Sequence, residues 1–133
     1  MKTHRRIVLT LTAAALATLG SAAFAETGIL TGQSAKGEVL TDASGMTLYT
    51  YDNDKNGVSS CYGKCAKYWP PLLAPDGAEA DDDFDLVPRK SGAMQWTFYG
   101  KPLYLWSKDK KPGDVSGDGK GGVWHIAQPE DED

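Results

Sequence analysis

The chain has little of what catalytic and nucleic-acid-binding proteins need. Of its 133 residues, two are cysteine and two histidine. No serine or cysteine nucleophile flanks His125, so no triad pattern is legible around it. Cys61 and Cys65 lack the Cys-x-x-Cys spacing of thioredoxins, and no histidine follows Cys65, which argues against covalent haem attachment. Carboxylates occur throughout and, without geometry, identify no acid–base pair. Basic residues are outnumbered, 14 Lys and Arg against 18 Asp and Glu, for a net charge of −4. A deficit of that sign disfavours nucleic acid and anionic membrane surfaces as partners. The longest apolar stretch, residues 7–19, falls short of the roughly 20 residues that span a bilayer as a helix. After residue 25 no segment keeps a helical period over three turns, although 65–69 is long enough for one short helical turn.

What is present begins with an export signal. Lys2, Arg5 and Arg6 precede the apolar stretch, and Ala23-Phe24-Ala25 supplies small residues for cleavage after Ala25. Arg5-Arg6 followed by Ile7-Val8-Leu9 loosely matches a twin-arginine signal, but a bare arginine pair is common on the general secretory route. With no cysteine at the cut to carry a lipid, the expected product is soluble, periplasmic or secreted, and without a stable membrane anchor. Loss of three basic residues leaves 11 against 18 acidic ones, a net charge of −7. The remaining 108 residues make one domain with a single modest core.

That domain contains an internal repeat at an offset of 55. Leu48-Tyr49-Thr50-Tyr51-Asp52-Asn53-Asp54 aligns without a gap on Leu103-Tyr104-Leu105-Trp106-Ser107-Lys108-Asp109. The same offset pairs Gly45 with Gly100 and Trp69 with Trp124. Each copy carries a hairpin signal: strand 38–41, turn 42–45 and return strand 46–52, then strand 94–99, turn at Gly100-Lys101 and return 102–107. A further strand is expected over 122–127. The expected fold is all-β, a small single domain of two pseudo-symmetric β-hairpin repeats with one short disulfide-closed loop. Its divisions are a signal at 1–25, a linker at 26–36, the repeat domain at 37–129 (copies at 37–77 and 92–129) and an acidic tail at 130–133. The acidic stretch 78–85 and the Gly/Lys/Asp-rich stretch 108–122 read as solvated loops, since like charges this dense do not pack.

The Tyr-x-aromatic-x-x-Asp motif at Tyr49/Tyr51/Asp54 and Tyr104/Trp106/Asp109 resembles that of a family of bacterial secreted-repeat proteins, many of them predicted lipoproteins. Cys61-Tyr62-Gly63-Lys64-Cys65, Trp69-Pro70-Pro71, Gly100-Lys101-Pro102-Leu103-Tyr104 and Gly122-Val123-Trp124-His125 are similar to it too, over nearly all of 37–129. The resemblance implies a fold and a compartment, and no chemistry.

Three groups of residues are candidates for a site. Cys61 and Cys65 form an even pair in an oxidising compartment, so a structural disulfide is expected. The sharper reading is a redox or copper-handling protein, with His125 joining the two thiolates on the metal. The motif aromatics Tyr49, Tyr51, Tyr104 and Trp106, with Trp69 and Trp124, are expected to form the core between the copies, or else a platform for a ligand. Asp54 and Asp109 would then tie a turn or accept a tyrosine hydroxyl. Asp52-Asn53-Asp54-Lys55-Asn56-Gly57 and Asp114-Val115-Ser116-Gly117-Asp118-Gly119 resemble the first half of a calcium loop, but neither has the acid at the twelfth position. Asx-type turns explain both. The whole reads as a non-enzymatic exported module that binds or scaffolds an unknown ligand or protein partner, with no resident cofactor.

Overall fold

The computed structural model describes residues 27–131. The export segment and its cleavage site lie outside the described residues, as do residues 132 and 133. Strands β1 (Leu30–Ser34) and β2 (Gly37–Thr41) form an antiparallel hairpin in register from Leu30↔Thr41 to Ser34↔Gly37. Residues 26–36 are therefore not a linker, because β1 lies inside them. What recruits β1 is the fully buried Ile29 just ahead of it, together with close packing at Gly32, where a Cβ would lie 3.2 Å from the Thr41 methyl.

The turn after β2 has the expected chemistry. Asp42 Oδ1 accepts the amides of Ser44 and Met46, and Gly45 adopts a positive φ of 85°. The return strand is shorter than 46–52. It contacts β2 only through Thr41↔Thr47 and the Leu48 amide on Leu40, then leaves as β3 (Tyr49–Tyr51) to pair with β7 (Trp124–Ile126). The chain thus exchanges its local hairpin partner for one in the other copy.

The second copy is built on β4 (Phe84–Pro88), β5 (Met94–Phe98) and β6 (Lys101–Pro102), an antiparallel sheet in that order. Tyr99 and Gly100, both at positive φ, make the two-residue turn between β5 and β6. β4 begins inside the stretch read as an acidic loop. There Asp81 accepts the amides of Asp83 and Phe84, and Asp83 accepts the Tyr99 hydroxyl, so part of this charge is tied down at a strand start. A single helical turn, α1 (Lys64–Tyr68), and a short 3-10 turn (Lys120–Gly122) complete the fold. Among the described residues no helix is long and apolar enough to cross a membrane.

Two buried clusters result, and the Leu-Tyr dipeptide of each copy feeds both. Successive residues of a strand point to opposite faces. Leu48 and Leu103 therefore enter one cluster with Ile29, Leu40, Phe84 and Phe98, while Tyr49 and Tyr104 enter the other with Val39, Cys61, Trp69 and Trp124. The Tyr49 and Tyr104 amides each donate to the other's carbonyl, at 2.8 and 2.9 Å, so the pseudo-two-fold axis passes between these two residues.

Candidate functional site

The second cluster is a column of four stacked rings on that axis. Trp69 and Trp124 lie parallel at its centre, 3.8 Å apart with an interplanar angle of 1°. Trp106 covers the outer face of Trp69 at 4.2 Å, and Tyr51 covers that of Trp124 at 4.1 Å. Tyr49 meets Trp69 edge-on at 5.3 Å, and Tyr104 meets Trp124 in the same way at 5.2 Å. Each contact has its mate at the offset of 55, and such offset and edge-to-face pairs add to the stabilisation from burial.

The motif carboxylates complete the arrangement by crossing between copies. Tyr49 donates its hydroxyl to Asp109 Oδ2 at 2.6 Å, and Tyr104 donates to Asp54 Oδ2 at 2.6 Å. The other oxygen of each Asp accepts both the amide and the hydroxyl of a serine, Ser116 for Asp109 and Ser60 for Asp54. Each Asp therefore ties a turn of its own copy and holds the tyrosine of the other. Burial first, and then the adjoining carboxylate, pushes both phenols well above their ordinary pKa.

The faces of Trp69 and Trp124 are occupied by neighbouring rings, so a ligand cannot stack on them. Only their edges reach a groove of about 580 Å³, lined also by Cys65, Tyr68, Trp106, Lys64 and Lys108. A second hollow of about 580 Å³ lies at the Tyr51 end. It is polar: His125 Nε2 meets Asp52 Oδ2 at 2.7 Å, Lys36 Nζ meets Asp118 at 2.8 Å, and Thr50, Lys101 and Gln128 add to its wall. Partial burial works against the Asp118 charge, but Lys36 and the Ile126 amide outweigh it and hold the carboxyl below its ordinary range.

Cys61 and Cys65 are joined as a disulfide, with Cys61 fully buried. The copper site imagined from Cys61, Cys65 and His125 is not assembled: the sulfurs are bonded to each other, and His125 faces Asp52 in the other hollow. Among the described residues no group of three or more His, Cys, Asp or Glu side chains is placed to hold a metal ion. The calcium-like segments are equally dispersed. Asp52 goes to His125, Asp54 to Tyr104 and Ser60, and Asn53 donates to the Tyr51 hydroxyl. Asp114 accepts the amides of Lys110 and Lys111, which hold its carboxyl below the usual range, while Asp118 turns to Lys36.

Arg89, which no sequence pattern singles out, ties several segments together. Its guanidinium donates to Ser59 Oγ, Gln95 Oε1 and the Cys61 carbonyl, and lies 4.2 Å from the Tyr62 ring centroid. Ser59 and the fully buried Gln95 pass this network on to the Tyr104 hydroxyl and the Leu103 carbonyl. No motif residue marks any of the three.

A family model described as a secreted repeat of unknown function matches residues 30–73 and again residues 85–128. No curated protein and no solved structure gives a match. The two matched segments start 55 residues apart, as do the crossed Tyr–Asp contacts and the paired tryptophans, and together they cover well over half of the chain. The chain belongs to this family of secreted repeats and carries two copies of its unit.

Proposed function

We propose that the protein is an exported, non-catalytic binding module of the periplasm or the cell exterior, soluble after cleavage, whose ligand occupies the polar hollow beside Tyr51 and His125. The observation that carries this reading is the His125–Asp52 pair, both partners about half exposed, in a hollow whose volume suits a small ligand. Donors and acceptors of both signs line it, with one aromatic residue, Tyr51. That combination matches a hydroxyl-rich ligand such as a mono- or disaccharide, which needs alternating donors and acceptors. Isothermal titration of the mature protein against neutral mono- and disaccharides tests it. Uptake that weakens about tenfold in Asp52→Asn supports the reading, that being the worth of one good polar contact. Absence of heat with every sugar, with unmoved amide resonances for Thr50 and His125, overturns it.

The same 2.7 Å contact favours a second reading, in which His125 is a general base oriented by Asp52. No serine or cysteine lines the hollow to act as nucleophile. Conversion of a bound glycoside, lost in His125→Gln, would establish this reading in place of the first.

A further inference from the structure

The aromatic column has features that packing does not require. The neighbouring cluster combines Ile29, Leu40, Leu48 and Leu103 with the rings of Phe84, Trp96 and Phe98, and its phenol–carboxylate pair, Tyr99 with Asp83, sits at its half-buried margin, away from the column. The column places four π-systems in van der Waals contact, with its two central rings buried and its end rings, Trp106 and Tyr51, half-buried beside open hollows. Flanking it are two phenols, each with its own carboxylate.

We propose that this column is a one-electron relay, which accepts an oxidising equivalent at an end ring and stores it as a neutral phenoxyl radical on Tyr49 or Tyr104. Rings at 3.8–4.2 Å exchange electrons readily because their π-orbitals overlap. The direction of travel follows from the protons. An oxidised indole that cannot lose its N–H proton remains a strong oxidant, and the buried Trp106 Nε1–H has no acceptor among the described residues. A phenol gives up its electron easily only when its proton leaves in the same event. Tyr49 and Tyr104 have a carboxylate oxygen at 2.6 Å to receive that proton.

In one direction, an outer-sphere one-electron oxidant in solution, such as a high-valent metal complex, removes an electron from Trp106. Trp69 replaces that electron, and Tyr49 replaces the one lost by Trp69. As it does so, the Tyr49 O–H bond breaks and the proton bonds to Asp109 Oδ2. The oxidant has gained one electron, Tyr49 is a neutral radical and Asp109 is a neutral acid. A one-electron reductant returns the electron, and the proton goes back to Tyr49. The equivalent can also pass from Trp69 to the parallel Trp124 and on to Tyr104, with Asp54 taking the proton.

Flash-quench oxidation of the full mature protein by photogenerated tris(bipyridine)ruthenium(III) tests the relay. Transient absorption should show an indole radical cation first and a phenoxyl after it. The frozen sample should give the electron-paramagnetic-resonance g-tensor of a phenoxyl hydrogen-bonded to a carboxylic acid. In a Tyr99→Phe background, which removes the other phenol that donates to a carboxylate, Tyr49→Phe with Tyr104→Phe should lose most of the phenoxyl signal, although Tyr51, Tyr62 and Tyr68 remain. Asp109→Asn in a Tyr104→Phe background should prolong the indole signal at the expense of the phenoxyl. An undiminished phenoxyl in the double variant overturns the proposal, as does a wild-type radical confined to indole or to a solvent-exposed phenol. Should that variant not fold, the g-tensor of Tyr99→Phe alone, which lacks the competing Tyr99–Asp83 pair, decides.

Discussion

The two copies bring a tryptophan to the same place on the axis by different means. In the first, the chain from Ser60 to Trp69 is closed by the Cys61–Cys65 disulfide, turns through α1 and is held from outside by Arg89. In the second, Ser116 and Lys120 occupy the positions 55 residues on from the cysteines, and no covalent closure exists. Glycine takes over that task. Gly119, just ahead of the 3-10 turn that leads to Trp124, and Gly121 and Gly122 within it all sit at positive φ. Gly117 lets Trp69 and Trp106 approach where a side chain would collide with Trp69 at 2.7 Å. Despite these different routes, the Tyr–Asp–Ser contacts at the axis match between copies to within a few tenths of an ångström. The axis contacts are therefore what defines the repeat unit, and the loops are interchangeable ways of delivering a ring to it.

The largest expected effect breaks the column at its centre. Trp69→Ala and Trp124→Ala should each cost about 3–5 kcal/mol, and by nearly equal amounts, since each opens a cavity between two stacked rings; urea denaturation reads both. Next come Tyr49→Phe and Tyr104→Phe, about 1–3 kcal/mol each, because each leaves a carboxylate oxygen without its donor. The same two phenols predict an alkaline limit. Their folded pKa values are raised above the ordinary phenol value of about 10, so the unfolded chain releases these protons first as pH rises. Stability from this source is intact below pH 10 and falls above it by about 1.4 kcal/mol per pH unit for each phenol, and the Tyr→Phe variants should flatten that fall.

The disulfide sharpens the contrast between copies. Cys61→Ser with Cys65→Ser should cost about 2 kcal/mol by loss of a short closed loop, whereas Ser116→Ala, which removes only one hydroxyl contact to Asp109, should cost less. Thermal unfolding under identical conditions compares the two. The smallest effect is expected at the Lys36–Asp118 pair, where the partners are 52% and 25% exposed. Lys36→Gln should cost no more than about 1 kcal/mol. Because Asp118 is held below its ordinary range, that small contribution is present above the usual carboxylate pKa and disappears as pH falls through the folded value.

Much of this arrangement was legible before any coordinates. The offset of 55 follows from the aligned Leu-Tyr, Gly and Trp pairs, and the turn at Asp42 and the helical turn near Cys65 follow from local chemistry. Contacts that cross the axis were not legible. Asp54 lies five residues after Tyr49 and three after Tyr51, which invited a local bond, yet its phenol is Tyr104, 50 residues away. β1 was missed because Leu30-Thr31-Gly32-Gln33-Ser34 has weak alternation and owes its order to Ile29 and β2. β4 was missed because Phe84 and Leu86 sit at the end of an acidic run, whose charge hid a strand start. The His125–Asp52 pair needs the β3–β7 register, which no local pattern encodes. Arg89 stands in neither repeat motif, so only the fold reveals what it holds.

The crossed contacts make the two copies one cooperative unit, locked by phenols that each copy lends to the other's carboxylate. Equilibrium urea unfolding of the wild type, Tyr49→Phe and Tyr104→Phe, followed by tryptophan fluorescence and far-ultraviolet circular dichroism, tests it most directly. A single coincident transition by both probes, moved to lower urea by similar amounts in the two variants, is the predicted result. Two separable transitions, with each variant moving only one of them, would contradict it.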